Sequence, residues 1–233
     1  MQARRLSRPA RITFHNVEAS LTGRVALAAA LVAALFAAAS ARAASIAVGG
    51  PCYLDSDMIM VTGTGFTPSA GVSYSFDGVT SGSGAADAGG NISQPISAPV
   101  LPPDILEHVY NLTATDQSNL SNTGSVQVRV TQLTATLTPQ RARPSRRIRF
   151  SVHGMPPGVQ LYLHYVYRGR SRATVSLGKP AAPCGVLNVR KRFFPMRNPH
   201  TGTWIFQFDD KKTYSAANRP AIRGKVQLFR TFR

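Results

Sequence analysis

Cysteine is nearly absent from this chain of 233 residues, which holds only Cys52 and Cys184. Two thiolates cannot close a structural zinc site, which takes four ligands. Carboxylates are thin as well, with ten Asp and Glu against 27 Lys and Arg and a net charge of +17. That scarcity works against glycosidase chemistry, which sets two carboxyl groups across a scissile bond. A sustained i, i+3, i+4 apolar pattern is missing beyond residue 44, so no long amphipathic helix is expected. There is no G-x-S-x-G elbow, no phosphate-cradling P-loop, no H-E-x-x-H and no zinc-deaminase pattern.

The few acids and histidines give no constellation. Asp209 and Asp210 lie in "DDKK", a turn in which neighbouring side chains diverge. Asp55 and Asp57 would share a face if extended and could hold Ca²⁺ with carbonyls, but a solvated strand end is the simpler expectation. "DAGGN" (Asp87–Asn91) departs from the calcium-loop pattern and reads as a hairpin turn. Cys184 with His153, His164 or His200 would make a thiol dyad, yet its Pro-rich turn offers no helix N-terminus to lower a thiol pKa. The expectation is a protein that is not an enzyme, with no catalytic residue, no metal and no cofactor.

What is present is a long apolar run and an uneven spread of charge. Residues 25–39, "VALAAALVAALFAAA", are fifteen apolar residues, fewer than the roughly 20 a spanning helix needs. Arginines precede the run and "ARA" (Ala41–Ala43) follows it, the layout of a secretory leader cut after Ala43. An uncut membrane anchor is the competing expectation. After cleavage no transmembrane span is expected, and the protein is placed outside the cytoplasm, secreted or at the cell surface. In that oxidising setting a Cys52–Cys184 disulfide is expected, with two buried thiols as the alternative.

Residues 1–43 carry six basic residues and one acid. Residues 44–130 carry one basic residue and seven acids, and residues 131–233 carry twenty basic residues and two acids. A flip of charge near Thr131–Gln132, with no flexible linker, predicts an acidic domain at 44–131 and a basic domain at 132–233.

Short alternating runs separated by Gly, Pro, Asn and Asp dominate both halves. Strands are predicted at Met58–Thr62, Val72–Phe76, Asn91–Ile96, Val109–Ala114 and Ser125–Val130. The second half adds Thr134–Leu137, Arg147–His153, Gln160–Tyr167, Ala173–Leu177, Val186–Phe193, Thr203–Asp209 and Lys225–Thr231. Their spacing predicts an all-β chain of two tandem immunoglobulin-like β-sandwiches after a signal helix. In "RRIRFSVH" Ile148, Phe150 and Val152 take one face, with Arg147 and Arg149 on the other. "QLYLHYVYR" carries bulk on both faces and reads as a central strand, and "WIFQF" turns Trp204, Phe206 and Phe208 inward.

"VTGTGFTP" (Val61–Pro68) followed by "VSYSFDG" (Val72–Gly78) resembles bacterial immunoglobulin-like modules of the IPT/TIG type over residues 46–131. The resemblance implies that Phe66 plugs the end of a sandwich and that Tyr110, in "YNLTATD", caps its core as a tyrosine-corner residue. The second half, with "RRIRFSVHGMPPG", "PCGVLNVRKR" and "TGTWIFQFD", resembles a domain of uncharacterised exported proteins of high-GC bacteria. The ratio of 22 Arg to 5 Lys suits that origin. In a bacterial chain the sequons at Asn91, Asn111 and Asn119 carry no expectation of glycosylation.

Three basic groups stand out: Arg141, Arg143, Arg146, Arg147 and Arg149; Arg168, Arg170 and Arg172; and Arg190, Lys191 and Arg192. Guanidinium groups match phosphate and carboxylate geometry. If the groups share a face, they would bind an anionic cell-wall or extracellular polysaccharide; extracellular DNA is the one nucleic acid such a compartment offers. The leading expectation is therefore an exported cell-envelope protein that holds anionic polymers electrostatically. A structural or adhesive spacer is the second, and a small wall hydrolase or transpeptidase the third.

Overall fold

The computed structural model describes residues 43–229. The predicted leader, Ala43 apart, lies outside the described residues. Within them regular structure is all β, fifteen strands in four sheets.

In the first half β1 (Ser45–Val48), β3 (Met58–Thr64) and β6 (Ile92–Ser97) form one sheet in that order. The facing sheet runs β2 (Tyr53–Leu54), β8 (Thr123–Thr131), β7 (Glu107–Asp116), β4 (Gly71–Phe76), β5 (Val79–Ala85). In the second half β13 (Leu187–Arg192), β10 (Arg147–His153) and β9 (Thr134–Thr138) face β12 (Arg170–Gly178), β11 (Leu161–Tyr167), β14 (Gly202–Asp209) and β15 (Ala221–Leu228). With β2 set aside, both halves place strands one, two and five in one sheet and four, three, six and seven in the other. That shared plan is an immunoglobulin-like sandwich, twice over. Every pairing is antiparallel except β2 with β8.

Period-two burial builds the cores. Ile59 and Val61 on β3 and Val72, Tyr74 and Phe76 on β4 point into the first cluster. Ile148, Phe150 and Val152 on β10 meet Trp204, Phe206 and Phe208 on β14 in the second. Phe66 is buried in the first cluster. Tyr110 is half-buried, packs against the first cluster and lies edge-on to Phe76, 5.7 Å between ring centroids. Asp77–Gly78 and Arg168–Gly169 hold positive φ at both positions, the two-residue turn that matches strand twist.

"DAGGN" is not a hairpin turn. It joins β5 to β6, which lie in different sheets, so it carries the chain across the sandwich. Asp87 fixes that crossing by accepting from the amide and the side chain of Asn91 and from the Gly89 amide, which together hold its carboxyl below its usual pKa. Asp55 and Asp57 are not extended side by side, because Ser56 turns the chain between them with φ of 66°.

The halves join closely. Cys52 and Cys184 form a disulfide with Cα atoms 5.4 Å apart, across 132 residues of sequence. Beside it Gly154 has positive φ, and a Cβ there would fall 2.7 Å from the Gln132 carbonyl and 2.8 Å from Leu54. The Gly154 amide donates to the Cys184 carbonyl. Gly185 is tighter still, since a Cβ would lie 1.5 Å from the Met155 carbonyl oxygen. Only glycine fits at either position.

Candidate functional site

Strand register decides which of the predicted basic residues meet. Arg147 lies directly opposite Arg192, and Arg149 opposite Arg190, in the β10–β13 ladder. All four alternate with inward residues and are exposed, so they form a two-by-two array on the outer face of the three-stranded sheet. Directly opposed side chains in an antiparallel pair have Cβ atoms about 4.5–5.5 Å apart, and like charges so placed repel. No carboxylate lies within ion-pair distance of these four among the described residues.

Lys191 departs from this array. It stands opposite buried Ile148 and takes the inner face at the edge strand, half-buried. An inward charge on an edge strand blocks pairing with another chain. Across the seam from β13 runs β12, the edge of the other sheet. The Tyr165 hydroxyl donates to the Arg192 carbonyl at 3.5 Å, and Tyr165 pairs with Ala173. This sets Arg192 level with the end of β12 that bears Arg170 and Arg172. Both are exposed at that edge, and beyond a bulge in the ladder Arg170 stands opposite Tyr167, which packs on the core. The basic residues thus wrap one edge of the sandwich rather than share one face. Arg168, at the turn, places its guanidinium 5.3 Å from the Tyr167 ring centroid.

Arg141, Arg143 and Arg146 do not join them. They lie in the exposed loop between β9 and β10, at the mouth of a groove on the β9–β15 side of the sandwich.

A buried polar network escaped the sequence reading. His164 and Asp209 are both fully buried on the outer face of β11 and β14, under the segment 210–220. His164 Nε2 faces Asp209 Oδ1 at 3.2 Å and the Lys211 carbonyl at 3.0 Å. Both accept only, so Nε2 carries the proton. The Thr174 hydroxyl is 2.9 Å from Nδ1. Burial opposes ionisation of Asp209, but hydrogen bonds from Gln207, the Lys211 amide, Asn218 and His164 outweigh it and hold the carboxyl below its usual pKa. Arg223 in turn donates to Gln207. The network pins the 210–220 segment over the sheet. Only the mixed polar and apolar faces of "LYLHYVY" hinted at it in the sequence. Cys184, spent in the disulfide, supplies no free thiol for the dyads weighed above. No group of three or more metal-ligating side chains occurs among the described residues.

No protein-family model matches the sequence, and no curated protein does. Similar solved structures include fibronectin(III)-like modules of Clostridium thermocellum CbhA, at 12% identity over 78% of this chain and 93% of that one, TM-score 0.24. A tetra-tandem repeat from the extending region of a large adhesion protein matches at 12% identity over 78% of this chain and 47% of that one, TM-score 0.26. A chain from the mouse coronavirus receptor-binding domain in complex with its murine receptor matches at 10% identity over 79% and 99%, TM-score 0.25. At such scores the fold rests on the strand order and register above.

Proposed function

We propose that this is an exported, non-enzymatic cell-envelope protein whose second half binds anionic envelope polymers through the basic edge of its sandwich. The observation that supports the reading is the unneutralised array of Arg147, Arg149, Arg190 and Arg192. Four guanidinium groups held against mutual repulsion are relieved by a polyanion, and Arg170 and Arg172 continue the track around the edge. In this reading residues 44–131 and 132–233 are two domains, the leader is removed after Ala43, and the first domain is an IPT/TIG-type module. The second domain then belongs with exported proteins of high-GC bacteria. Co-sedimentation of the full chain with purified bacterial cell wall tests the reading. Retention at about 50 mM salt and release at about 500 mM support it, because exposed charges are screened over that range. Retention indifferent to salt sinks it.

The junction favours a second reading, a rigid structural or adhesive spacer. A disulfide and the tightly enclosed Gly154, packed against Leu54 and the Gln132 carbonyl, hold the halves together, as a spacer that transmits force or fixes a distance requires. Full-chain protein that fails to sediment with any envelope polymer at low salt selects this reading.

A further inference from the structure

The two sandwiches share one strand plan but close differently. In the first half the last strand, β8, has its outer edge covered: β2 pairs with it in parallel, Tyr53 opposite Val130 and Leu54 opposite Thr131. Its inward glycine, Gly124, is overlain by the first strand, so that a Cβ there would meet the Ala44 carbonyl and Ile46 at 3.2 Å. In the second half the corresponding strand β15 is an edge with no partner beyond β14 among the described residues. Gly224 sits opposite buried Phe206, on the inward face, yet a Cβ added there meets nothing within 4 Å. Residues 140–146 line the space beside it and are tied down by the Phe193 and Phe194 amides, which donate to the Arg146 and Pro144 carbonyls.

The result is a groove of about 1390 Å³ between edge strands β9 and β15. Its floor is apolar, with Leu137, Phe206, Val226 and Leu228, and Phe229 beside it is 77% exposed. Its rim is basic, with Arg141, Arg143, Arg146 and Lys225, and its lining holds no carboxylate. Unpaired strand edges offer rows of backbone donors and acceptors. An extended peptide satisfies those rows and fills the floor with alternate side chains. A fatty-acid-like amphiphile would fill the floor and leave the backbone unpaired. The basic rim selects acidic side chains on the outward positions and repels another copy of this basic half.

We infer that the β9–β15 groove is a strand-acceptor site for an extended acidic partner segment, alternating apolar and carboxylate residues, that adds to β15 as β2 adds to β8. It is separate from the arginine edge, which lies on the β12–β13 side.

The test uses the full chain with a fluorescein-labelled, end-blocked (Glu-Val)₅ peptide, read by anisotropy and by backbone amide exchange. Binding with slowed exchange in Ala221–Leu228 supports the site. Gly224→Leu places a side chain in open space, so folding is retained while the groove floor is plugged. It should weaken binding by about tenfold or more. Arg141→Glu/Arg143→Glu/Lys225→Glu should shift preference to (Lys-Val)₅. Arg147→Gln/Arg149→Gln/Arg190→Gln/Arg192→Gln should leave (Glu-Val)₅ binding intact, which separates this site from the polymer-binding edge. Equal affinity for (Glu-Ser)₅, protection confined to β10 and β13, or displacement by palmitate without β15 protection would overturn the inference. So would β15 amides as protected in the free chain as those of β14, since the edge would then already be covered.

Discussion

Arg149 stands directly opposite Arg190 on the exposed face of the β10–β13 ladder, and no carboxylate offsets either charge among the described residues. A sheet that only needed to be stable gains nothing from that pair. Replacing Arg190 with Thr, a residue suited to strands, should raise unfolding stability by about 0.2–1 kcal/mol at low ionic strength. The gain should fade as salt screens the repulsion. Urea unfolding of the two proteins at low and high salt measures it, and an Arg190→Thr variant less stable than the parent at low salt contradicts it.

The disulfide closes a loop spanning 132 residues. Loss of a native bond of this kind costs about 2–5 kcal/mol, mainly by freeing the unfolded chain. Cys52→Ser/Cys184→Ser should therefore lower the denaturation midpoint by a corresponding amount. Equal midpoints for the oxidised protein and the double variant would show that the junction is held by packing alone.

Gly185→Ala should be among the most damaging single substitutions in the chain. Its positive φ strains any side chain, and the added methyl would overlap the Met155 carbonyl. A loss of about 3 kcal/mol or more is expected from denaturant titration. A loss below about 1 kcal/mol would mean that the loop at Met155 moves freely.

Part of the acid sensitivity should come from Asp116, alongside Asp87 and Asp209, whose carboxyls are also held low. Burial works against ionisation of the Asp116 carboxyl, but the amides of Thr67 and Ser118 and the Asn122 side chain prevail and bring its pKa to about 2. A folded pKa below the unfolded value of about 3.9 adds stability above the unfolded pKa and loses it as pH falls through the folded one. Stability should decline between pH of about 4 and about 2, and Asp116→Asn should make that decline shallower. An unchanged slope in the variant contradicts the assignment.

Alternation made much of this fold readable. "RRIRFSVH" and "WIFQF" declared their inward faces because one apolar residue in two is enough to mark a half-buried strand. β5, "VTSGSGA", was missed since small and polar residues carry no periodic signal, and β1 and β2 are too short to show one. β12 begins at Arg170 rather than Ala173, because an exposed edge strand tolerates arginines that read as a turn. The arginine groups were visible as composition, but their placement depends on register. Pairing Arg149 with Arg190 and turning Lys191 inward are facts of the ladder that no local pattern encodes. The His164–Asp209 pair joins positions 45 residues apart and was equally out of reach.

The most direct measurement is the salt dependence of binding to a defined polyanion, long-chain polyphosphate, for the full chain and for Arg147→Gln/Arg149→Gln/Arg190→Gln/Arg192→Gln. Each cation that neutralises a polymer charge adds to the slope of log affinity against log salt. Losing all four arginines should flatten that slope by on the order of three. Slopes that coincide would contradict the assignment of polymer binding to this edge.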